Sequence, residues 1–297
     1  MAEMVDSQAL RTALRGLLLA RLGETPGAAW LRDLSVPADL DAVRPLLLQV
    51  GRHIGKQAVV SSFVDRAGAT VTGVFGPLRI GHWNTDGAVR CLIVAEAADR
   101  TDAPYSALFK TYDLGDTETR VAALRAINFV RPGEPEPALE MVRDAGRTYL
   151  NELMEAGWLD SPFAARHLTP HEYRKAVLKG FFCGLPVERF EGLEAHADAE
   201  LSDSLCLYAD EREAAGRPVP VAVWPIAALH PRPGLVARLI GKLEHPLSDE
   251  RLTAARALGN AREARTAVFL TERLAREANA DVAAAINAAL TRLSAPA

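Results

Sequence analysis

The sequence predicts an all-α protein, a helical array, from the spacing of its apolar residues and from its composition. Apolar residues recur at intervals of three and four, as at Leu10, Leu14, Leu17 and Leu18, which marks one face of a helix. No stretch alternates strand and helix as a parallel α/β sheet requires. The 297 residues are 49% hydrophobic and 24% charged, as in folded globular proteins. We therefore expect a folded helical chain throughout.

Two helices are predicted in the N-terminal part of the chain. The first is introduced by Asp6 or Ser7 and ended by Gly23. The second carries apolar residues over 43–54, and Pro45 is assigned to its first turn, where the missing N–H costs no helical hydrogen bond. Residues 55–81 are rich in glycine, and this composition predicts a loop that can contain a short hairpin near residues 68–80.

The middle of the chain predicts a series of further helices. One begins at Thr85 or Asp86, one covers residues 104–112, and one long amphipathic helix runs from residue 138 to residue 153. A capping box with Pro170 in the first helical position begins the next helix, and Gly184 ends it. Another helix is expected over residues 198–216, followed by a short one around Trp224.

The C-terminal region contains four short helical patterns, over residues 235–243, 248–258, 263–276 and 281–293. Their lengths and alanine-rich faces are typical of stacked HEAT-like hairpins, with Gly259 and Asn260 as the expected stop of the second helix. We therefore divide the chain into a helical domain over 1–233 and a HEAT-like region over 234–297, packed continuously with the first.

The charge balance and the cysteines bear on partners and location. The chain carries 34 Lys and Arg against 38 Asp and Glu, so no basic excess favours nucleic acid or an anionic membrane. No secretory signal pattern is present, and the apolar stretches end well before the roughly 20 residues of a membrane helix. Cys91, Cys183 and Cys206 lie far apart among apolar neighbours, as reduced thiols do. We expect a cytoplasmic protein that is not an integral membrane protein.

The sequence offers no complete catalytic, metal or cofactor motif. His167 and His171 are four residues apart, but Pro170 lies between them and zinc requires three or four ligands. G-x-S-x-G, P-loop and G-x-G-x-x-G patterns do not occur. We therefore predict no metal and no cofactor, and the catalytic residues stay unknown, because a site assembled from distant residues is left open.

Basic residues form the most informative constellation. Arg52 and Lys56 follow the second helix, Arg90 lies one turn inside a later helix, and Lys110 and Lys179 each stand beside aromatic residues. Long cationic side chains at such positions can bind a phosphate or a carboxylate. The alternative is that they are solvated helix ends or partners in weak surface ion pairs.

Several ordered sequence blocks resemble the EboA family. They are W-N-T-D-G-A-V-R-C-L-I-V-A from Trp83, then L-F-K-T-Y-D-L-G-D, V-L-K-G-F-F-C-G-L-P-V, F-E-G-L-E-A-H-A-D-A-E-L and Y-A-D-E-R-E-A-A-G-R-P-V, covering roughly residues 83–230. The resemblance places these residues in the family pattern: Asp86, Arg90, Phe109, Asp113, Leu178, Lys179, Gly192 and Leu193. This chain departs from the pattern with Arg174-Lys175 in place of Asn-Gln, and with Ala195-His196 in place of paired arginines.

The EboA resemblance implies a cytoplasmic accessory protein of the ebo operon of bacteria and eustigmatophyte algae, serving metabolite traffic. The leading hypothesis is an adaptor or carrier that binds other ebo-operon proteins or an anionic small metabolite. The residues expected at its ligand-binding site are Arg52, Lys56, Asp86, Arg90, Lys110, Asp113 and Lys179. Two alternatives stay open: an enzyme acting on a phosphorylated or prenylated intermediate, and a ligand-free scaffold for protein interaction.

Overall fold

The computed structural model describes residues 6–62, 64–66 and 68–295, and helices dominate this part of the chain. The helices are α1 (Ser7–Leu22), α2 (Pro26–Asp33), α3 (Leu40–His53), α4 (Thr85–Asp99), α5 (Pro104–Asp113), α6 (Thr117–Ala126), α7 (Glu136–Ala145), α8 (Asn151–Trp158), α9 (Pro162–His167), α10 (Pro170–Cys183), α11 (Leu193–His196), α12 (Ala199–Ala214), α13 (Val223–Ala227), α14 (Leu235–Lys242), α15 (Ser248–Ala261), α16 (Ala267–Leu274) and α17 (Ala280–Ser294). The strands are β1 (Thr70–Gly73) and β2 (Gly76–Arg79). The all-α prediction is confirmed.

The chain folds into two compact units. The first unit is Met1–Thr169 with Arg189–Glu191, and the second is Pro170–Glu188 with Gly192–Ala297. The division predicted from the sequence falls at residue 233. It separates an EboA-like helical domain from a HEAT-like region, whereas the two units are defined by their compactness. That division and the HEAT-like character of the C-terminal region stay predictions.

The first unit is built around α4. Its sequence V-R-C-L-I-V-A is apolar on nearly every side, and a helix of this kind must be covered all round. Residues from Cys91 to Ala95 are buried, and α1, α3, α5 and α6 pack against the helix. The charged positions Asp86 and Arg90 are therefore carried into the interior by the same helix.

The predicted hairpin is present between α3 and α4. Thr70 pairs with Arg79 and Gly73 pairs with Gly76 in an antiparallel register. Gly76 has φ +112°, a conformation open to glycine, and this allows the two strands to join tightly. The hairpin confirms the expectation for residues 68–80, and β2 places the side chain of Arg79 in the first unit.

The second unit has Trp224 of α13 at its centre. This side chain is fully buried, and α12 and α15 both pack on α13. The guanidinium carbon of Arg238 lies 4.6 Å from the centre of the Trp224 ring, and Lys242 Nζ lies 4.8 Å from it. The most extensive helix pairing of this unit joins α15 to α17.

The single long helix predicted over residues 138–153 is wrong. The structure has two helices there, because α7 ends at Ala145 and α8 begins at Asn151. A Cβ atom on Gly146 would lie 2.3 Å from Trp158 Cζ2, so the indole occupies the space beside the break. Trp158 Nε1 also donates to the Val142 carbonyl at 3.3 Å. The apolar spacing continues across the break because both helices bury a face in the same core.

The assignment of Pro45 to a first turn is also wrong. The helix α3 begins five residues earlier at Leu40, where Asp39 accepts a hydrogen bond from the Asp41 N–H at 3.1 Å. The carbonyl that loses its helical partner belongs to Asp41, an exposed residue of the first turn, where water can satisfy it. The buried residues Val43, Leu47 and Val50 hold the helix together across the proline.

The predicted stop at Gly259 and Asn260 is a third error. Both residues lie inside α15, which runs on to Ala261 and ends at Arg262 with φ +52°. A Cβ atom on Gly259 would lie 2.9 Å from Ala289 Cα, which is closer than real Cβ atoms approach. This glycine therefore serves close packing of α15 on α17.

Candidate functional site

The start of α4 is fixed to the end of α3 by the side chain of Thr85. Thr85 Oγ1 donates to the Gly55 carbonyl at 2.9 Å and accepts from the Gln57 N–H at 3.2 Å. The Thr85 N–H donates to the Gln57 carbonyl at 2.8 Å. These three bonds hold the segment that follows α3 against α4. Lys56 is thereby placed beside the buried charges of that helix.

Two of the predicted site residues, Lys56 and Arg90, meet at Glu118 of α6, and a third, Asp86, is near enough for its charge to act on Lys56. Arg90 Nη2 lies 2.7 Å from one Glu118 oxygen, and Lys56 Nζ lies 2.9 Å from the other. Arg90 Nη1 donates to the Leu47 carbonyl at 2.6 Å. Lys56, Asp86, Arg90 and Glu118 are called the Glu118 cluster below. The cluster ties α3, α4 and α6 together by charge.

Lys56 and Asp86 of the Glu118 cluster differ in burial and in hydrogen bonding. Hydrogen bonding to Glu118, the charge of Glu118 and the charge of Asp86 together raise the pKa of the exposed Lys56. Asp86 is only 4% exposed, and its Oδ1 has no hydrogen-bond partner among the described residues. A buried carboxylate oxygen without a partner costs free energy, so Asp86 in this position destabilises the fold.

A cleft of about 340 Å³ opens beside the Glu118 cluster. Its lining includes Arg44, Leu48, Arg90, Asp116 and Thr119, and we call it the Arg44–Arg90 cleft. Partial burial opposes ionisation of Asp116, but bonds from Thr119 and the charges of Arg90 and Arg44 hold its pKa below the usual range. The cleft is therefore lined by ionised groups of both signs.

The four other predicted site residues lie elsewhere. Arg52 is exposed in the last turn of α3 and makes no ion pair with the described residues. Lys110 is exposed, with Nζ 4.0 Å from Asp41, and Asp113 is the exposed last residue of α5. Lys179 is half-buried on α10, in the second unit. The ligand-binding role of all seven residues stays a prediction.

Sequence reasoning missed Arg125 of α6. Its Cζ lies 4.6 Å from the centre of the Trp83 ring, and a Cβ on Gly87 would lie 2.9 Å from its Nη1. Burial lowers the pKa of Arg125 to about 10, and Nε has no hydrogen-bond partner in the described part of the chain. The Trp83 ring and the space left by Gly87 thus accommodate this guanidinium group. The sequence signal that could have indicated Arg125 is its position as a single arginine in the apolar run A-A-L-R-A-I.

A second ion-paired group shares a small cavity with Arg125. Asp160 is buried, with Oδ1 2.9 Å from Arg79 Nε and Oδ2 2.7 Å from Arg189 Nη2. Arg189 also contacts Glu155 at 3.1 Å. A cavity large enough for about one water molecule lies between this group and Arg125. The group joins β2 to the segment Arg189–Glu191 within the first unit.

His53 and His167 pack against aromatic rings. His53 stacks on Trp30 with ring centres 4.8 Å apart, and the ring of His167 lies 4.4 Å from that of Phe163. Burial and the charge of Arg166 lower the pKa of His167. Over residues 6–62, 64–66 and 68–295, no three His, Cys, Asp or Glu side chains gather as metal ligands.

The fold and the site define a class: an all-α protein whose central helix buries charges beside an arginine-lined cleft. A family model described as metabolite traffic protein EboA matches residues 42–228. The chain belongs to the EboA family. No curated protein and no solved structure matches it. The Glu118 cluster, Arg125 and the Arg44–Arg90 cleft all lie within the matched segment. No helix in the described part of the chain is both long and apolar enough to span a membrane.

Proposed function

We propose that this chain is a cytoplasmic carrier or adaptor of metabolite traffic that holds an anionic small molecule in the Arg44–Arg90 cleft. The observation that carries the proposal is the presence of two guanidinium groups at one cleft of about 340 Å³. Ligand pockets measure about 300–1,000 Å³, so the volume suits a small metabolite. The family description, metabolite traffic, supports a role in binding and delivery.

The hydrogen bonding of the two arginines supports an anionic ligand. Arg44 Nη2 donates to the Leu114 carbonyl at 3.1 Å, a neutral acceptor that leaves the charge of Arg44 without a bonded carboxylate. Glu118 is shared between Arg90 and Lys56, so one carboxylate serves two cations. A phosphate or carboxylate can bind such donors in two-pronged geometry.

A second candidate, an adaptor that binds another ebo-operon protein, is favoured by apolar side chains at the same surface. Leu48 lines the cleft and is 70% exposed, and Leu114, whose carbonyl Arg44 binds, is 52% exposed. Exposed apolar groups beside charged ones are common at protein interfaces. In this case the cleft would receive a side chain of the partner.

Native mass spectrometry of the protein purified gently from its own host tests the proposal. We expect a retained anionic small molecule in the wild type and its loss in Arg44→Ala, because Arg44 supplies donors that are not bonded to a carboxylate. Arg147→Ala is the matched control, since Arg147 is exposed in the same unit and paired with Glu140 at 2.6 Å. Both variants change the surface and should keep the wild-type melting temperature.

Each other outcome has a definite meaning. Equal ligand occupancy in the wild type and in Arg44→Ala would mean that the ligand does not bind in this cleft. A co-purifying operon protein without any small molecule would favour the adaptor function over the carrier function. Conversion of the retained molecule to a product on incubation would establish the enzyme alternative.

A further inference from the structure

A groove runs over α15 and α17 in the second unit. Its volume is about 650 Å³, and its lining includes Arg256 and Asn260 of α15 and Ala284, Ala288 and Arg292 of α17. We call it the α15–α17 groove. The volume lies in the range of about 300–1,000 Å³ that is typical of small-molecule sites. Nearly all of this groove lies beyond residue 228, outside the segment that the family model matches.

Close helix packing and small side chains create the groove. Gly259 lets α15 approach α17 until a Cβ atom would lie 2.9 Å from Ala289 Cα. On the outward face of α17, Ala284 and Ala288 are exposed and too short to fill the space between the helices. The floor is therefore apolar and open, a surface that gains free energy when a hydrocarbon group covers it.

Two arginines at the groove, Arg256 and Arg292, form no ion pair with a carboxylate in the described part of the chain. Arg256 is exposed and makes no hydrogen bond or ion pair with the described residues. Arg292 Nη1 donates to the amide oxygen of Asn260, a neutral acceptor. By contrast, Arg251 on the same helix as Arg256 lies 2.8 Å from Glu277. Arg174, Arg232 and Arg238 of this unit likewise have carboxylate partners, which Arg256 and Arg292 lack.

The two guanidinium groups are placed to act on one anion. Asn260 follows Arg256 by four residues, about 6 Å along α15, and its side chain contacts Arg292. Asn260 is itself held by a hydrogen bond from Nδ2 to the Pro225 carbonyl at 2.8 Å. Arginine side chains at this spacing can both reach a phosphate or carboxylate group.

Two acidic residues, Asp281 and Glu194, also line the groove. Asp281 precedes Arg292 by eleven residues, about 16 Å along α17. Asp281 forms no ion pair with Arg256 or Arg292 among the described residues. Glu194 also lines the groove and forms no ion pair with Arg256 or Arg292.

A cavity of similar size in the first unit differs in this respect. It measures about 580 Å³ and is lined by Arg11, Arg15, Arg100 and Arg131. Each of these arginines is already within ion-pairing distance of Asp99 or Glu96. Size alone therefore does not distinguish the two cavities, and the distinguishing feature of the α15–α17 groove is its two arginines without carboxylate partners.

We propose that the α15–α17 groove binds an anionic amphiphile, a phosphate or carboxylate group joined to a short hydrocarbon chain. Arg256 and Arg292 bind the anionic group, and Ala284 and Ala288 contact the hydrocarbon. This site is separate from the Arg44–Arg90 cleft and gives the C-terminal helices a ligand of their own.

Calorimetric titration with three probes tests the proposal: octyl phosphate, octanoate and inorganic phosphate. We expect octyl phosphate or octanoate to bind saturably, and inorganic phosphate to bind at least about fivefold more weakly, because it lacks the hydrocarbon that covers the floor. The stronger of the two amphiphiles identifies the anionic group. Affinity should fall as salt rises, since the attraction is ionic.

Variants separate the groove from non-specific binding. Arg256→Ala with Arg292→Ala should weaken binding about tenfold or more, through loss of charge-assisted hydrogen bonds. Ala288→Phe should block the groove, and because Ala288 is exposed the fold should persist. Arg217→Ala is the matched control, an exposed arginine of the same unit outside the groove.

The proposal is overturned if neither amphiphile binds saturably, or if both the double-arginine variant and Ala288→Phe retain wild-type affinity. A melting temperature and a circular dichroism spectrum confirm that each variant is folded. Since Arg44→Ala leaves this groove intact, loss of the carrier function at the first cleft would not abolish amphiphile binding here.

Discussion

The predicted ligand residue Arg90 also anchors the fold. It is 6% exposed, and its guanidinium links the Leu47 carbonyl to the Glu118 carboxylate. Lys56 binds the same carboxylate from an exposed position. Two cations with one shared partner thus differ mainly in burial, and burial decides what each contributes to stability.

We expect Arg90→Ala to lower the free energy of unfolding by about 2–3 kcal/mol, because it removes a buried charge-assisted bond and a bond to a backbone carbonyl. Lys56→Ala is the matched control and should cost less than about 1 kcal/mol, as an exposed pair does. Urea unfolding of both variants measures the difference. Equal losses would mean that burial does not set the contribution of Arg90.

At the scale of elements, glycine inside a helix has two meanings in this chain. Gly259 and Gly241 both lie within helices of the second unit. A Cβ on Gly259 would meet Ala289 at 2.9 Å, whereas a Cβ on Gly241 would meet no heavy atom within 4 Å. Of these two glycines, Gly259 alone has a packing reason to be glycine.

We expect Gly259→Ala to destabilise the protein by about 1–3 kcal/mol, because the added methyl group forces α15 and α17 apart. Gly241→Ala should instead stabilise it by about 0.5–1 kcal/mol, since alanine loses less backbone entropy in a helix. Thermal unfolding of the two variants checks the opposite signs. A stable Gly259→Ala would show that the two helices can separate at little cost.

At the scale of the whole molecule, the chain contributes to its two units out of sequence order. The segment Arg189–Glu191 belongs to the first unit, although residues on both sides of it belong to the second. Arg189 is held there by Asp160 and Glu155. A cut of the chain at Thr169 would therefore remove ion pairs from the first unit.

Acid should weaken the second unit. Hydrogen bonding from Arg251 lowers the pKa of Glu277 from 4.5 to about 2. Burial opposes this shift, and bonds from the Asn279 N–H and Arg273 add to it. A lowered carboxyl pKa gives stability that is complete above about pH 4.5 and is lost as the pH falls toward 2. Linkage puts this contribution on the order of 3 kcal/mol at neutral pH.

Glu277→Gln tests this pH dependence, because it removes the charge and keeps the shape. We expect the variant to be less stable at pH 7 and to lose less stability than the wild type between pH 5 and about pH 3. Melting temperatures across that range are the measurement. Parallel curves for the two proteins would assign the acid sensitivity to other carboxylates, such as Asp99, whose pKa is also lowered.

Part of the candidate site could be predicted from sequence. Lys56, Asp86 and Arg90 were predicted and lie in one cluster, but Glu118 and Arg125 were missed. Both belong to α6, a helix that the apolar spacing did not reveal, because its sequence T-E-T-R-V-A-A-L-R-A is nearly as polar as a surface helix. Residues distant in sequence meet only when helices pack.

The sequence by itself determined the helical class, the hairpin and most helix starts, because apolar spacing, caps and glycine act over a few neighbouring residues. Tertiary structure alone decided the break at Gly146, the continuation of α15 through Gly259, and the meeting of Arg292 with Asn260 at the α15–α17 groove. Each of these depends on an atom from another helix: the Trp158 ring, the Ala289 Cα and the Asn260 amide. Such interactions are fixed by packing in three dimensions, which local sequence does not encode.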